Sequence, residues 1–193
     1  MAILLFVLLY KYGDAVAGAM ANPFYVQLGF TGVEIASVTK VFGVVATLLG
    51  VFAGGVLVAK AGVWRALLIG GLLQAATNLI FAWLAGRGAD IGALTIAVGA
   101  DSFTGGLGSA AFVAYLSGLC NRAFTGTQYA LLTSLMAFGR TVLASASGFM
   151  AASFGWAGFF ILTTGLALPA LLLLLWLWRV DREPVEAVRQ QAD

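Results

Sequence analysis

Five ionisable residues fall where a membrane helix should carry none. Lys11 and Asp14 lie near the middle of the first long apolar stretch, Lys40 about two turns inside the second, Asp101 near the middle of the fourth and Arg140 near the middle of the fifth. A charged side chain at the centre of a membrane helix costs about 2.5–3.5 kcal/mol on insertion scales, so such a set must face inward, paired or beside water. Two chemistries suit it. The three cations outnumber the two carboxylates, and the surplus can hold an anionic solute. The chain has no histidine, so a transported proton would ride on a carboxylate, with Asp14 and Asp101 as the candidates. Burial disfavours a charged carboxyl and a neighbouring cation favours it, so protonation can follow the wetting of a cavity. The rival reading is structural: Lys11 and Asp14 are an i, i+3 pair on one helix face, and the other three join a buried network that only holds helices together.

Uncharged polar residues extend the same faces. Asn22 and Gln27 follow Asp14; Gln74, Thr77 and Asn78 mark the third stretch; Ser102, Thr104 and Ser109 accompany Asp101; and Gln128 precedes Arg140. Each reads as an interhelical hydrogen bond or as a ligand contact. Glycines 105, 106 and 108 loosen the helix beside Asp101, without the lysine and preceding strand of a phosphate loop. Enzyme chemistry finds little support. The missing histidine removes imidazole metal sites and Ser-His or Cys-His catalysis, the single Cys120 has no partner for an internal disulfide, and no paired-carboxylate metal motif appears. No metal or cofactor is expected. A net charge of +2 with scattered basic residues leaves no footprint for nucleic acid.

The elements that must position these groups follow from composition. Of 193 residues, 62% are hydrophobic and 9% charged, against about 25% charged in a soluble domain. A soluble fold is excluded. Glycine, charge and turn signals cut the chain into six apolar segments at about 2–28, 34–59, 64–85, 91–119, 127–152 and 156–178. Unbroken runs such as Leu171 to Leu175 lack the alternation of barrel strands, so the segments read as helices. The expectation is an all-α polytopic membrane bundle of six transmembrane helices over 1–178, with a polar tail at 179–193. Lys60, Arg65, Arg122, Arg179, Arg182 and Arg189 fall on one side and Arg87 on the other, which places both termini in the cytoplasm. Trp64, Trp83, Trp156, Trp176 and Trp178 sit near span ends, as interface anchors do. Gly50 and Gly54 form a GxxxG pair, and Gly13, Ala17 and Ala21 line the first segment, small residues that let helix backbones approach in lipid. The run Ala2 to Tyr10 has no basic lead and no small-residue cleavage site, so it reads as half of a membrane helix and not as a cleaved signal.

Two motif groups make the chain resemble known families. The turn Gly55-Val56-Leu57-Val58-Ala59-Lys60-Ala61-Gly62-Val63-Trp64-Arg65 is similar to the major facilitator loop signature G-x-L-x-D-R-x-G-x-R-R. Gly55, Leu57, Lys60, Gly62 and Arg65 match or nearly match, and Ala59 replaces the acidic residue. Leu9-Tyr10-Lys11-Tyr12-Gly13-Asp14-Ala15, Gln74-Ala75-Ala76-Thr77-Asn78 and the run from Gly105 to Arg140 together resemble the AmpG-type muropeptide permeases. The likeness covers about residues 3 to 178, the C-terminal half of that family's twelve helices. It implies proton-coupled import of anhydromuropeptides across the bacterial inner membrane for peptidoglycan recycling, and its matching motifs contain Lys11, Asp14, Gln74, Asn78, Gln128 and Arg140. Joined to the residues read above, the substrate-binding candidates are Lys11, Lys40, Asn22, Gln74, Asn78, Gln128 and Arg140, and the proton-coupling candidates are Asp14 and Asp101. It also implies a partner N-terminal half, in cis or in trans. Two alternatives remain open: a half-transporter or structural bundle inactive without its partner, and a transporter of another anionic solute such as acetyl-CoA.

Overall fold

A computed structural model describes residues 2–119 and 125–190, and their side chains except at 2, 125, 140, 143 and 181–190. The first segment is helical but broken in its middle: α1 (Ala2–Tyr10) and α2 (Tyr12–Gln27) meet at Lys11, whose φ of −101° and ψ of 9° leave the helical range. The second begins as α3 (Gly32–Ser37), passes through a π-helical turn at Val38–Gly43 and continues as α4 (Val44–Ala61). Its start is set by a capping box: the Thr31 hydroxyl accepts from the Glu34 N–H while the Glu34 carboxylate accepts from the Thr31 N–H, so two otherwise orphaned donors are satisfied. Next come α5 (Val63–Ala85), α6 (Ile91–Leu119), α7 (Thr125–Ala144) and α8 (Ser147–Gln190). Asp90 caps α6, accepting from the N–H groups of Gly92 and Ala93.

Among the described residues, five stretches are long and apolar enough to cross a membrane: Ile3–Gln27, Gly32–Ala61, Val63–Ala85, Ile91–Leu119 and Ser147–Val180. The fifth expected span, 127–152, is shorter than its apolar run. The helix stops at Ala144, a turn follows at Ser145 and Ala146, and the chain re-enters helix at Ser147. Gly155 then kinks α8 with φ +67° and ψ 172°, a conformation glycine adopts without the Cβ penalty of other residues. So the expected boundary before Trp156 is real, while residues 147–152 belong to a short helical piece between two breaks. The last helix runs on past Trp178 to Gln190.

Small residues make the tightest pairing, α4 against α6. A methyl group at Gly54 would stand 2.6 Å from the Leu107 carbonyl oxygen, and one at Gly50 would overlap the Phe103 carbonyl. Lipid offers no hydrophobic drive between helices, so backbone contact of this kind holds them by dispersion. Gly13 likewise brings α2 against α8, where its Cβ would meet the Thr163 carbonyl at 2.9 Å.

Two aromatic-rich clusters fill the ends of the bundle. One gathers Phe24, Tyr25, Phe81, Leu84, Phe159 and Phe160, the other Phe6, Tyr10, Leu67, Phe112, Tyr115 and Leu174. Along α2, α5 and α6 the polar residues Asp14, Gln74, Thr77, Asn78, Asp101 and Thr104 fall between the positions that feed one cluster and those that feed the other. The packing therefore sandwiches a polar layer between two dry ends.

Candidate functional site

Lys11 organises the polar layer. Because the helix breaks at this residue, its side chain leaves the α1 and α2 cylinders and reaches across to α5 and α6. The ammonium lies 3.4 Å from the Asp14 carboxylate, 3.2 Å from Oε1 of Gln74 and 3.5 Å from the carbonyl oxygen of Gly105. Just before the break, the Tyr10 hydroxyl donates to the Leu67 carbonyl at 2.9 Å in a buried bond, fixing the end of α1 on α5. Asp101 faces the same space from α6, accepting a 3.4 Å hydrogen bond from the Thr77 hydroxyl.

Lys11, Asp14 and Asp101 border an open cavity of about 220 Å³, whose lining also includes Ser102, Thr47 and Gly105. A second cavity of about 170 Å³ shares Lys11, Asp14 and Ser109 and is walled on its far side by Phe112, Val113 and Met136. A polar cleft thus runs past the lysine into an apolar recess, the combination expected where a ligand is oriented by a few charges and held by apolar walls. A third cavity, about 390 Å³, lies at the Gln27 and Trp156 end and has no charged residue in its lining. There the Trp156 indole donates to the Gln27 side-chain oxygen at 2.8 Å.

The structure brings together Lys11, Asp14, Gln74 and Asp101 of the candidates read from sequence. Asn78 is buried on α5 but does not border the cavities, Asn22 is exposed on α2, and Gln128 is half-buried on α7. Lys40 is exposed on the π-helical turn and likewise outside the cavity lining. The Arg140 side chain, Arg122 and Cys120 lie outside the described residues. In the loop motif, Gly62 takes φ +83° between α4 and α5, and Gly55, Lys60 and Arg65 are exposed, as a solvated basic turn requires. Thr47, Val51, Phe112 and Met136 line the cavities without having been singled out. Thr47 lies three residues before Gly50, whose contact with Phe103 carries this part of α4 to the polar part of α6, so the GxxxG pair was the available signal. Among the described residues no His, Cys, Asp or Glu cluster is grouped to hold a metal.

Comparison with known proteins agrees with this architecture. The Major Facilitator Superfamily model matches residues 3–193. A transporter named AmpG 4 from Rickettsia felis is 43% identical over 175 residues, covering 91% of this chain and 42% of that protein. The anhydromuropeptide permease of Escherichia coli K12 is 38% identical over 188 residues, 97% of this chain and 38% of its own length. The chain therefore spans about two fifths of the curated relatives it matches. Among solved structures, a crystal structure of a D-xylose-proton symporter superposes over 100% of this chain and 53% of its own with a TM-score of 0.60, at 21% identity, a likeness of fold. The five membrane-length helices, the basic turn after the second of them and a match over nearly the whole sequence place this multi-pass membrane chain in the Major Facilitator Superfamily.

Proposed function

We propose that this chain is the C-terminal six-helix portion of a transporter that imports anhydromuropeptides, with protons, across the bacterial inner membrane, both termini facing the cytoplasm. The observation that carries the reading is the Lys11 ammonium held in the polar layer beside an open cavity, a cation positioned for the carboxylates of a muropeptide. The Escherichia coli relative named an anhydromuropeptide permease supports it at 38% identity, beside the transporter named AmpG 4 at 43%. They carry more than twice the matched length, which supports a further six-helix half against which this one rocks about a site near the midplane. In this scheme Lys11 and Gln74 meet the substrate, Lys40 and Arg140 add to the cationic surplus, and Asp14 and Asp101 carry protons.

Uptake of labelled anhydromuropeptide by vesicles bearing this chain together with the further six-helix half, with and without an imposed pH gradient, tests the reading. Uptake should need the gradient, and Asp14→Asn or Asp101→Asn should uncouple it. Uptake by both variants with unchanged gradient dependence would remove the carboxylates from the mechanism, and no uptake under any condition would remove the muropeptide.

A further inference from the structure

Gln74 carries a donor with nothing to bind. It is 7% exposed, and its Nε2 is, among the described residues, the one buried side-chain nitrogen or oxygen without a hydrogen-bond partner. The orientation of the amide is not arbitrary. An ammonium has three N–H donors and no lone pair, so Lys11 at 3.2 Å must face the amide oxygen, and the NH₂ group is turned away from it. It lies beside Gly105, 3.5 Å from where a Cβ on that residue would stand, and Gly105 lines the cavity. A buried amide N–H without a partner is costly, and neighbouring space kept open by a glycine is where its missing acceptor fits.

The Lys11 side of the arrangement is equally incomplete. Charge-assisted N–H to carboxylate bonds run about 2.7–2.9 Å, whereas the ammonium is stretched over three acceptors at 3.2 to 3.5 Å. Asp14 holds it loosely and is itself one-third exposed.

Resting on the reading of the site given above, we infer that Lys11 and Gln74 form a two-pronged receptor for a ligand carboxylate, and that Asp14 is a stand-in which this carboxylate displaces from Lys11. One ligand oxygen takes the ammonium and the other the Gln74 N–H, so both incomplete groups are satisfied at once. The charge balance selects the ligand class. A singly charged carboxylate replaces Asp14 one for one. A cation would be repelled by Lys11, and a dianionic phosphate would crowd extra negative charge beside Asp14 and Asp101, which line the same cavity. Binding then leaves Asp14 without its counter-ion, so occupancy of the site is communicated to the carboxylate next to it.

The test compares the affinity of this chain, assembled with the further six-helix half in lipid nanodiscs, for N-acetylglucosaminyl-anhydromuramyl tripeptide and for the same compound with its carboxylates converted to primary amides. The native protein should bind the acid at least tenfold more tightly. Gln74→Leu should weaken acid binding about tenfold and bring the acid-to-amide ratio close to one, and Gln74→Glu, which supplies Lys11 with a permanent carboxylate, should abolish the preference. Asp14→Asn should tighten acid binding severalfold, since no resident carboxylate remains to be displaced. A preference that survives in Gln74→Leu overturns the receptor, and acid binding by Asp14→Asn that is unchanged or weaker overturns the displacement. Should Gln74→Leu fail to fold, Gln74→Glu and Asp14→Asn decide between the same outcomes. Native protein that binds acid and amide alike refutes this inference alone. Native protein that binds neither refutes the muropeptide reading and the inference with it.

Discussion

Two lysines sit at two helix irregularities, and the chain treats them in opposite ways. At Lys11 the helix stops and restarts, and the released side chain finds three oxygens from α2, α5 and α6. At Lys40 the helix continues through a π turn, which preserves backbone hydrogen bonding while adding a residue to the turn. The side chain there is exposed and meets no hydrogen-bond or ion-pair partner among the described residues. A break frees the direction of a side chain enough to reach neighbouring helices; a π turn only re-aims it around its own axis. Because an ammonium is costly in lipid without a partner, Lys11 is answered within the bundle, and Lys40 is left to be answered from outside these helices.

Removing Lys11 should produce the largest effect. Lys11→Met leaves the Asp14 carboxylate, the Gln74 oxygen and the Gly105 carbonyl without their shared donor. Hydrogen bonds to charged groups contribute about 1.5–3 kcal/mol, so the variant should unfold in detergent with a loss of about 2 kcal/mol and lose muropeptide uptake by about a hundredfold. Thermal melts and vesicle uptake measured on the same preparation check both halves of this expectation. A variant with native stability and native uptake would make the ammonium a bystander and erase the contrast with Lys40.

The helix that carries Lys40 depends on α6, and breaking that dependence comes next in size. Gly50→Leu would drive a side chain into the Phe103 carbonyl across the α4–α6 contact. Overpacking a close contact costs about 1–3 kcal/mol, and the shift should move Thr47 and Val51 away from the cavity they share with Lys11. Gly55→Leu, at an exposed glycine with open space around its Cβ on the same helix, is the control and should be tolerated. Equal loss from both would mean that glycine content, and not the contact with α6, matters in this span.

How much of this was legible before the structure depends on whether a signal is local. The helical class, the turn at Gly62 and the GxxxG contact could be read because each rests on residues adjacent in sequence or spaced by one turn. The Lys11 and Asp14 pair was legible for the same reason. That Gln74 would take the ammonium was indicated only as one polar residue among several, since the contact joins positions 63 apart. The interruptions at Lys11, at Val38–Gly43 and at Ser145 were invisible. The stretches around them are apolar and contain none of the prolines that commonly end a helix, whereas Pro23 lies inside α2 without ending it. Tertiary packing overrides local propensity at these places. Asn22 and Asn78 resembled Gln74 in every local respect, and only packing separates an exposed asparagine and a buried one off the cavity from the glutamine on Lys11.

Tyr10→Phe probes the break itself. It deletes the 2.9 Å bond that ties the end of α1 to the Leu67 carbonyl and preserves the ring that stacks on Phe112 at 5.0 Å between centroids. The expected cost is about 1 kcal/mol, read as a lower melting temperature, with uptake reduced less than in Lys11→Met.

Lys40→Met should have the smallest effect on the chain, and its size decides what the π turn is for. An exposed cation without a partner among the described residues contributes little to folding, and surface substitutions of this kind stay within about 0.5 kcal/mol. The melting temperature should therefore barely change, and uptake should fall by less than tenfold, because Lys40 does not line the cavity that Lys11 dominates. If uptake instead fell as far as in Lys11→Met with stability unchanged, the two lysines would be equal partners of the substrate. The π turn would then have to carry the Lys40 ammonium toward the same cavity during transport. Melting and uptake measured together separate these outcomes, because a lysine that serves the fold changes both and one that serves only the moving substrate changes uptake alone.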